Sequence, residues 1–177
     1  MGIVNRDDQF ERVMREVVEP VRRYLARRTD ATTADDVTSE TLLVLWRRID
    51  EVPEQCIPWA IGVARLQLAN AERSARRQRR LFARIATIDP PQPVRDHAED
   101  DAGYIRDAIN GLRAADAEVV RLWAWDELDL AQIAQVLGIT VNAATIRLHR
   151  ARKRLREELG KNSGIEGHVA VKEGEER

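Results

Sequence analysis

The chain has 177 residues, of which 29 are Lys or Arg and 30 are Asp or Glu, so its net charge is only −1. This length allows one ordinary domain or two small ones, and the low content of Gly (9) and Pro (6) favours helices throughout. The charges are segregated, because residues 65–84 and 147–156 are basic whereas residues 89–101 are acidic. Local fields therefore say more about binding partners than the overall balance does.

The same composition argues against several classes of protein. Cys56 is the only cysteine, which excludes an internal disulfide framework and leaves no second Cys for zinc. His97, His149 and His168 lack the spacing of metal ligands, so we expect no metal and no cofactor. The N-terminus lacks the apolar core of a signal peptide, and the longest apolar runs are too short to span a bilayer. We therefore expect a cytoplasmic protein that makes no membrane contact.

Two helices are predicted at the start of the chain. Residues 7–28 carry apolar side chains at helical spacing, although Pro20 interrupts the pattern and could divide the helix. The second helix is predicted to be capped by Thr33 or Thr32. Its residues Leu42–Trp46 are apolar around most of the circumference. This segment is either a central core helix or a helix that binds a partner with its second face.

A loop over Glu51–Pro58 precedes the third predicted helix, which begins at Trp59. One face of this helix is apolar, and the other carries a polar and basic set: Arg65, Asn70, Arg73, Arg76, Arg77, Arg79 and Arg80. A basic track with an aromatic platform at Trp59 is typical of single-stranded nucleic acid binding. The alternative, that Trp59 belongs to the core and the arginines are merely solvated, stays open at this point.

The composition divides the chain into two helical domains, predicted at residues 7–84 and 103–159. Residues 85–102 are rich in proline and acids and read as an extended linker. The linker could repel or mimic nucleic acid, or simply keep the two halves soluble. In the second domain we expect a helix with Val119, Val120, Leu122 and Trp123 in the core. Residues 160–177 read as a disordered tail.

Residues 129–156 predict a helix-turn-helix. Asp129 with Gln132 forms a capping-box-like pair, Gly138 suits a positive φ at a helix end, and Thr140 can cap the second helix. Five apolar residues recur at intervals of 3, 4, 3 and 4 and predict one buried face: Val141, Ala144, Leu148, Ala151 and Leu155.

The exposed face of this second helix indicates DNA. The residues that point most directly away from the apolar face are Asn142, Ile146, His149, Arg150 and Lys153. Six basic residues and no acid lie between Arg147 and Arg156. A helix face of a single charge sign suggests a polyanion, although an ordinary cationic helix end is the simpler alternative.

The sequence contains no catalytic signature. A phosphate-binding Gly loop, a G-x-S-x-G turn and an H-E-x-x-H helix are all absent. The adjacent acids at 99–101 lie in the linker, which offers no fixed geometry for acid–base chemistry. We therefore expect that the protein is not an enzyme.

Over residues 8–158 the chain resembles the extracytoplasmic-function group of the sigma-70 family, the promoter-specificity subunits of bacterial RNA polymerase. DDVTSETLLVLWRR resembles the family's polymerase-docking segment, PWAIGVARLQLANAERSARR its minus-10 segment, and EVVRLWAWDELDLAQIAQVLGITVNAATIRLHRARKRL its minus-35 domain. The chain departs from the family's usual residues at Ser39, Leu66, Asn70 and 142–144. These departures forbid borrowing a promoter sequence from a relative.

The resemblance implies an all-α fold of two small domains and assigns each candidate site. Contact with the clamp helices of the largest polymerase subunit is expected at Asp35, Asp36, Glu40, Thr41, Leu45, Trp46 and Arg47. Contact with minus-10 DNA is expected at Trp59, Arg65, Asn70, Arg73, Arg76, Arg77 and Arg80. Minus-35 bases are expected to meet Asn142, Ala143, Ile146 and His149. Minus-35 phosphates are expected to meet Arg147, Arg150, Arg152, Lys153 and Arg154.

The implied partners are core RNA polymerase, through its clamp helices and flap, and promoter DNA, both duplex and melted. An anti-sigma protein is a possible further partner. Two other classes stay open on the sequence alone. One is a stand-alone helix-turn-helix regulator, which would leave the Leu42–Trp46 surface unused. The other is a helical interaction module that uses DNA little and would show a flat salt dependence.

Overall fold

A computed structural model describes the backbone of residues 6–85 and 101–166, and the side chains of 6–81 and 103–160. Every element of regular structure in these ranges is helical, which confirms the expected all-α class. The helices are α1 (Arg6–Ala26), α2 (Ala31–Arg47), a 3-10 turn (Ile49–Glu51), α3 (Cys56–Ile85), α4 (Asp101–Asn110), α5 (Ala114–Ala124), α6 (Leu130–Leu137) and α7 (Val141–Glu166).

The chain forms two compact units. The first comprises Met1–Pro93 together with Ala131–Gly138, and the second comprises Val94–Leu130 together with Ile139–Arg177. This grouping differs from the predicted division, which assigned the whole of 103–159 to one domain. The predicted linker lies mostly outside the described residues.

In the first unit α1, α2 and α3 pack against one another in every pairing. Their shared core is built from side chains that are almost fully buried: Val17, Val21, Tyr24, Leu25, Leu45, Ile49, Ala60, Ile61 and Ala64. α1 is a single helix that continues through Pro20 to Ala26, so the proline does not divide it. The three-helix core fixes which faces of α2 and α3 remain outside.

The start of α2 differs from the predicted cap. Asp30 is the N-cap, and its carboxylate accepts hydrogen bonds from the Thr33 backbone N–H at 3.0 Å and from the Thr33 hydroxyl at 2.8 Å. These bonds, the backbone one foremost, lower the pKa of Asp30. The Asp30 carboxylate therefore caps the helix in place of a threonine hydroxyl. α2 begins before the two threonines, and Thr33 lies inside its first turn.

The second unit is centred on the packing of α5 against α7, with α4 beside both. Ala144, Leu148 and Ala151 of α7 are buried, as the predicted stripe requires. Two expected core residues are exposed instead. Val141 lies at the first position of α7, where it extends past the packed surface, and Trp123 lies on the outer side of α5.

α7 continues to Glu166, so its backbone includes the first residues of the predicted tail. Residues 167–177 of that tail lie outside the described residues. Within the described ranges, no helix combines the length and apolar character needed to cross a membrane.

Candidate nucleic-acid and polymerase interfaces

The start of α7 is defined by two local features that the sequence predicted. Gly138 has a φ of +63°, a backbone conformation that costs other residues free energy but not glycine. The Thr140 hydroxyl accepts a hydrogen bond from the Ala143 backbone N–H at 3.1 Å, which is the side-chain cap of α7. The turn therefore ends α6 and begins α7 within three residues.

The residues predicted to read minus-35 bases lie near the start of α7. Asn142, Ile146 and His149 are exposed, and Ala143 is half-buried. Ile146 is 54% exposed although it is apolar, so its side chain is available to a methyl group in a DNA groove. Their contact with bases stays a prediction.

Three of the five residues predicted to bind phosphates already have neighbours. Arg150 pairs with Asp116, Arg152 lies over the Trp123 ring with its guanidinium carbon 5.2 Å from the ring centroid, and Lys153 lies 4.0 Å from the Glu157 carboxylate. The other two predicted contacts are Arg147, which is half-buried, and Arg154, which is exposed. Nothing in the sequence indicated that Asp116 contacts Arg150 or that Trp123 contacts Arg152. Both Asp116 and Trp123 belong to α5 and meet α7 only in the folded unit.

α3 carries a stripe that combines two large apolar side chains with polar and basic ones, opposite its buried face. Trp59, Leu66, Asn70, Arg73 and Arg77 recur at intervals of 7, 4, 3 and 4, which places them on one side of the helix, with Arg80 three residues further on. The Arg73 guanidinium donates to the Asn70 side-chain oxygen at 2.6 Å. We call this set the α3 stripe.

The two remaining predicted minus-10 residues lie beside the α3 stripe. Arg65 is half-buried, and Arg76 is exposed but pairs with Glu72 at 3.6 Å on the same helix. Leu66, which the prediction did not include, is exposed within the stripe. An apolar residue carries no charge signal for nucleic acid and is readily counted with the apolar face of the helix.

Trp59 is neither fully buried nor free. Its ring is half-buried, and the guanidinium carbon of Arg48 lies 5.5 Å from the ring centroid. Arg48 donates to the Glu51 carboxylate through two nitrogens, an ion pair that raises the pKa of Arg48 and lowers the pKa of Glu51. The platform at the start of α3 is therefore held by an arginine from the turn before it.

A cavity of about 570 Å³ opens beside the loop that leads into α3. It is lined by Gln9, Arg12, Val13 and Glu16 of α1 and by Val52, Pro53, Glu54 and Cys56. The buried Cys56 thiol donates to the Glu16 carboxylate at 3.1 Å. Burial, and then this hydrogen bond, raise the pKa of Cys56 to about 11, so the thiol keeps its proton at neutral pH.

The α2 surface requires a correction to two predicted polymerase contacts. Thr41 and Leu45 are both fully buried, and the Thr41 hydroxyl donates to the Val37 carbonyl at 2.7 Å. Neither can meet a partner while the first unit is folded. Leu43, which was not among the predicted contacts, is 46% exposed.

The outer side of α2 consists of Asp36, Glu40, Leu43 and Arg47, at intervals of 4, 3 and 4, with Trp46 at its edge. All five are exposed, and we call them the α2 surface. Asp35 is also exposed but pairs with Arg22 of α1 at 3.6 Å, on the side of α2 that faces α1. Mixed charges around an apolar centre are the usual composition of a protein-binding patch.

Two residues of α1 contact Trp46 and hold its side chain. The edge of Phe10 meets the Trp46 ring at a centroid distance of 4.9 Å, and the guanidinium carbon of Arg6 lies 5.6 Å from the ring centroid. Arg6 also donates to the Trp46 carbonyl at 2.9 Å and to the Arg47 carbonyl at 3.3 Å, which satisfies two carbonyls at the end of α2. The exposed tryptophan is thus fixed in place.

In the described part of the chain, no group of three or more His, Cys, Asp or Glu side chains is arranged to hold a metal ion. The arrangement instead presents a capped basic helix, a second basic stripe and a mixed apolar surface. These features define a class: helical DNA-binding proteins of the helix-turn-helix type that also carry a surface for a protein partner.

Comparison with known proteins identifies the family. A family model described as Sigma-70, region 4, matches residues 102–155. The chain is 34% identical over 147 residues to the ECF RNA polymerase sigma factor SigL of Mycobacterium tuberculosis, covering 78% of this chain and 83% of SigL. It is 30% identical over 161 residues to the RNA polymerase sigma factor CarQ of Myxococcus xanthus, covering 86% of this chain and 90% of CarQ.

Solved structures share the fold. The co-crystal structure of the sigma factor RpoE with the anti-sigma factor NepR from Bartonella quintana matches with a TM-score of 0.62 at 19% identity, over 85% of this chain and 96% of that one. The structure of CnrH with the cytosolic domain of CnrY matches with a TM-score of 0.53 at 21% identity, over 86% of this chain and 88% of that one.

The chain belongs to the extracytoplasmic-function group of the sigma-70 family, and its function is promoter-specific transcription initiation with core RNA polymerase.

Proposed function

We propose that the chain divides initiation among three surfaces: α7 binds the minus-35 duplex, the α3 stripe binds the melted minus-10 strand, and the α2 surface binds polymerase. The observation that carries this proposal is the presence of two separate basic surfaces, on α3 and α7, in a chain whose net charge is −1. A conventional helix-turn-helix regulator would need only the second of them.

At the minus-35 element, α7 lies in the major groove with its first turns against the bases. Ile146 packs on a thymine methyl, and Asn142 and His149 hydrogen-bond to base edges. Arg147 and Arg154 flank them and bind phosphates, which set the register of the helix. The support for this assignment is the exposure of Asn142, Ile146, His149 and Arg154 and the absence of acids between Arg147 and Arg156.

At the minus-10 element, the α3 stripe follows one separated strand. Trp59 offers an aromatic surface to a base, and Arg73 and Arg77 hold the backbone. Leu66 lies between Trp59 and Arg73 along the helix and supplies an apolar contact. The cavity at Val52–Cys56 accepts one unstacked non-template base, since its volume of about 570 Å³ lies within the range of small-molecule sites. Stacking on Trp59 uses the ring surface that Arg48 leaves open.

The α2 surface binds the clamp helices of the largest polymerase subunit. Leu43 and Trp46 supply the apolar centre, and Asp36, Glu40 and Arg47 supply a charged rim. A partner that buries this centre removes the two side chains from water, which favours binding. Contact of the second unit with the polymerase flap is part of the same proposal.

An anti-sigma protein is a further proposed partner. The solved complex of RpoE with the anti-sigma factor NepR supports it, because that sigma factor shares this fold. Because polymerase acts in the cytoplasm, the proposal places the chain there as well. The proposal assigns no catalytic step to the chain.

Transcription in vitro tests the proposal. The full-length chain and purified bacterial core polymerase are incubated with fragmented genomic DNA, and the transcription start sites are mapped. We expect discrete starts that share two upstream sequence elements and that disappear when the chain is omitted. Failure of the chain to confer promoter-dependent initiation on core polymerase would refute the proposal, whereas binding of duplex DNA without initiation would favour the stand-alone regulator.

A further inference from the structure

Asp116 is a charged residue in the interior of the second unit. It is 5% exposed and occupies the third position of α5. The partial positive charge at the start of a helix favours a carboxylate there, but a buried carboxylate still needs a direct partner to offset its lost hydration. Among the described residues it is the only charged side chain that is buried, so its partner is informative.

The partner is Arg150 of α7. The Arg150 Nε lies 3.4 Å from Asp116 Oδ2, while the Arg150 side chain as a whole remains 50% exposed. A guanidinium group has five N–H donors, and an ion pair through Nε leaves the two terminal nitrogens free to point outward. Arg150 follows Ile146 by one helical turn, so it belongs to the face of α7 that meets DNA in the proposed function.

We propose that Asp116 is a positioning residue for DNA binding: it holds the Arg150 guanidinium so that its terminal nitrogens grip one phosphate of the minus-35 duplex. Two parallel N–H donors match two phosphate oxygens, which is the strongest geometry available to arginine. A side chain that is already fixed loses less conformational freedom on binding than a mobile one. This inference rests on the proposed minus-35 function and deepens it.

The inference and simple electrostatics predict opposite effects of Asp116→Asn on DNA affinity. Asp116→Asn removes a negative charge close to the DNA-binding helix, so charge alone would strengthen binding to a polyanion. Positioning predicts weaker binding, because the amide no longer holds the guanidinium. Asp107→Asn is the matched control, since Asp107 is exposed on α4 and its replacement changes the net charge by the same amount.

The measurement uses wild-type holoenzyme, formed from the full-length chain and core polymerase, to enrich duplexes from a random-sequence pool. Fluorescence anisotropy with one enriched, labelled duplex then gives the dissociation constant of each variant holoenzyme. We expect Asp116→Asn to weaken binding about 3- to 10-fold, whereas Asp107→Asn leaves binding unchanged or slightly tighter. In an Arg150→Ala background, Asp116→Asn should cause no further loss.

Arg150→Lys provides a second test on a half-exposed residue and does not disturb the core. Lysine keeps the charge, but it cannot pair with Asp116 and present two parallel N–H donors to a phosphate at the same time. We therefore expect binding nearly as weak as that of Arg150→Ala. Recovery of wild-type affinity by lysine would overturn the inference. Circular dichroism of each variant shows whether Asp116→Asn is folded, and if it is not, the lysine variant decides.

Two further outcomes count against the inference. One is tighter binding by Asp116→Asn, in parallel with Asp107→Asn. The other is an equal loss from Asp116→Asn with and without Arg150, which would make Asp116 a purely structural residue. If wild-type holoenzyme enriches no sequence and initiates no transcripts, the proposed function itself fails. If it does both and Asp116→Asn binds normally, only the inference fails.

Discussion

Leu43 and Leu45 form a matched pair for testing the α2 surface, because the same residue occurs twice on one helix in opposite environments. Leu43 is 46% exposed and Leu45 is 0% exposed. Leu45→Ala removes a side chain from the three-helix core and is expected to lower the free energy of unfolding by about 2–5 kcal/mol. Leu43→Ala is expected to cost about 1 kcal/mol or less, as most surface substitutions do.

The effects on polymerase binding should be reversed. Complete burial of a leucine is worth about 1.5–3 kcal/mol, and close to half of Leu43 is still available for a partner to cover. Leu43→Ala should therefore weaken binding to core polymerase by about 1 kcal/mol, which is roughly 5-fold. Leu45→Ala should leave the affinity of the folded fraction unchanged.

Urea unfolding followed by circular dichroism measures the first effect, and titration of labelled variants with core polymerase measures the second. The titration is performed at a temperature at which Leu45→Ala remains folded. The reasoning is refuted if folded Leu45→Ala binds polymerase more weakly than Leu43→Ala does. It is also refuted if Leu43→Ala has wild-type affinity, because the apolar centre of the α2 surface would then lie outside the interface.

Three further predictions concern the DNA-binding helix, its turn and the buried thiol. Ile146→Ala should change the preference for one base pair at a cost of about 1–3 kcal/mol, whereas Lys153→Ala should weaken all sequences alike and lower the log–log salt slope by about 0.9; binding to singly substituted duplexes across a salt series checks both. Gly138→Ala should destabilise the fold by about 1–2 kcal/mol in urea unfolding because its φ is +63°, while Gly160→Ala, in the last part of α7, should not destabilise it. The raised pKa of Cys56, about 11 against an ordinary 9.0, gives stability that is complete below pH 9 and is lost as the pH rises toward 11; unfolding across that range should show the decline, which Cys56→Ala should lack.

The turn before α7 and much of the buried face of α7 could be predicted because their signals are local. Gly138 and Thr140 act through their own backbone conformation and a hydrogen bond three residues away, and both were identified correctly. The burial of Ala144, Leu148 and Ala151 follows from a spacing that is unambiguous, since polar residues separate them.

The α2 surface could not be predicted to the residue, because five consecutive apolar residues over Leu42–Trp46 give a helix no phase. Two threonines determine which side of α2 faces the core. Thr41 was predicted to contact polymerase, and Thr38 was not considered. Thr38 and Thr41 are buried because their hydroxyls donate to the carbonyls of Ala34 and Val37, each at 2.7 Å, which satisfies the polar group within the helix. That orientation makes Leu45 core and turns Leu43 outward.

Tertiary neighbours account for two further differences. The sequence predicts Trp123 in the core together with its α5 neighbours, but the side chain is 43% exposed and Arg152 of α7 lies over its ring. Arg150 was predicted to bind phosphate, but its ion pair with Asp116 was not predicted. Neither contact has a signature in either helix alone, since each joins residues about thirty positions apart.

The partial neutralisation of the basic surfaces has a consequence for specificity. Arg76 pairs with Glu72 and Lys153 with Glu157, each at the edge of a DNA-binding face. Exposed pairs of this kind add little stability, but they lower the attraction of each surface for arbitrary DNA. A protein tethered to polymerase does not need strong binding at either element, because holding both surfaces in one complex raises their effective concentration at a promoter. Weak separate contacts that combine only where both elements occur at the right spacing discriminate better than one strongly basic domain would.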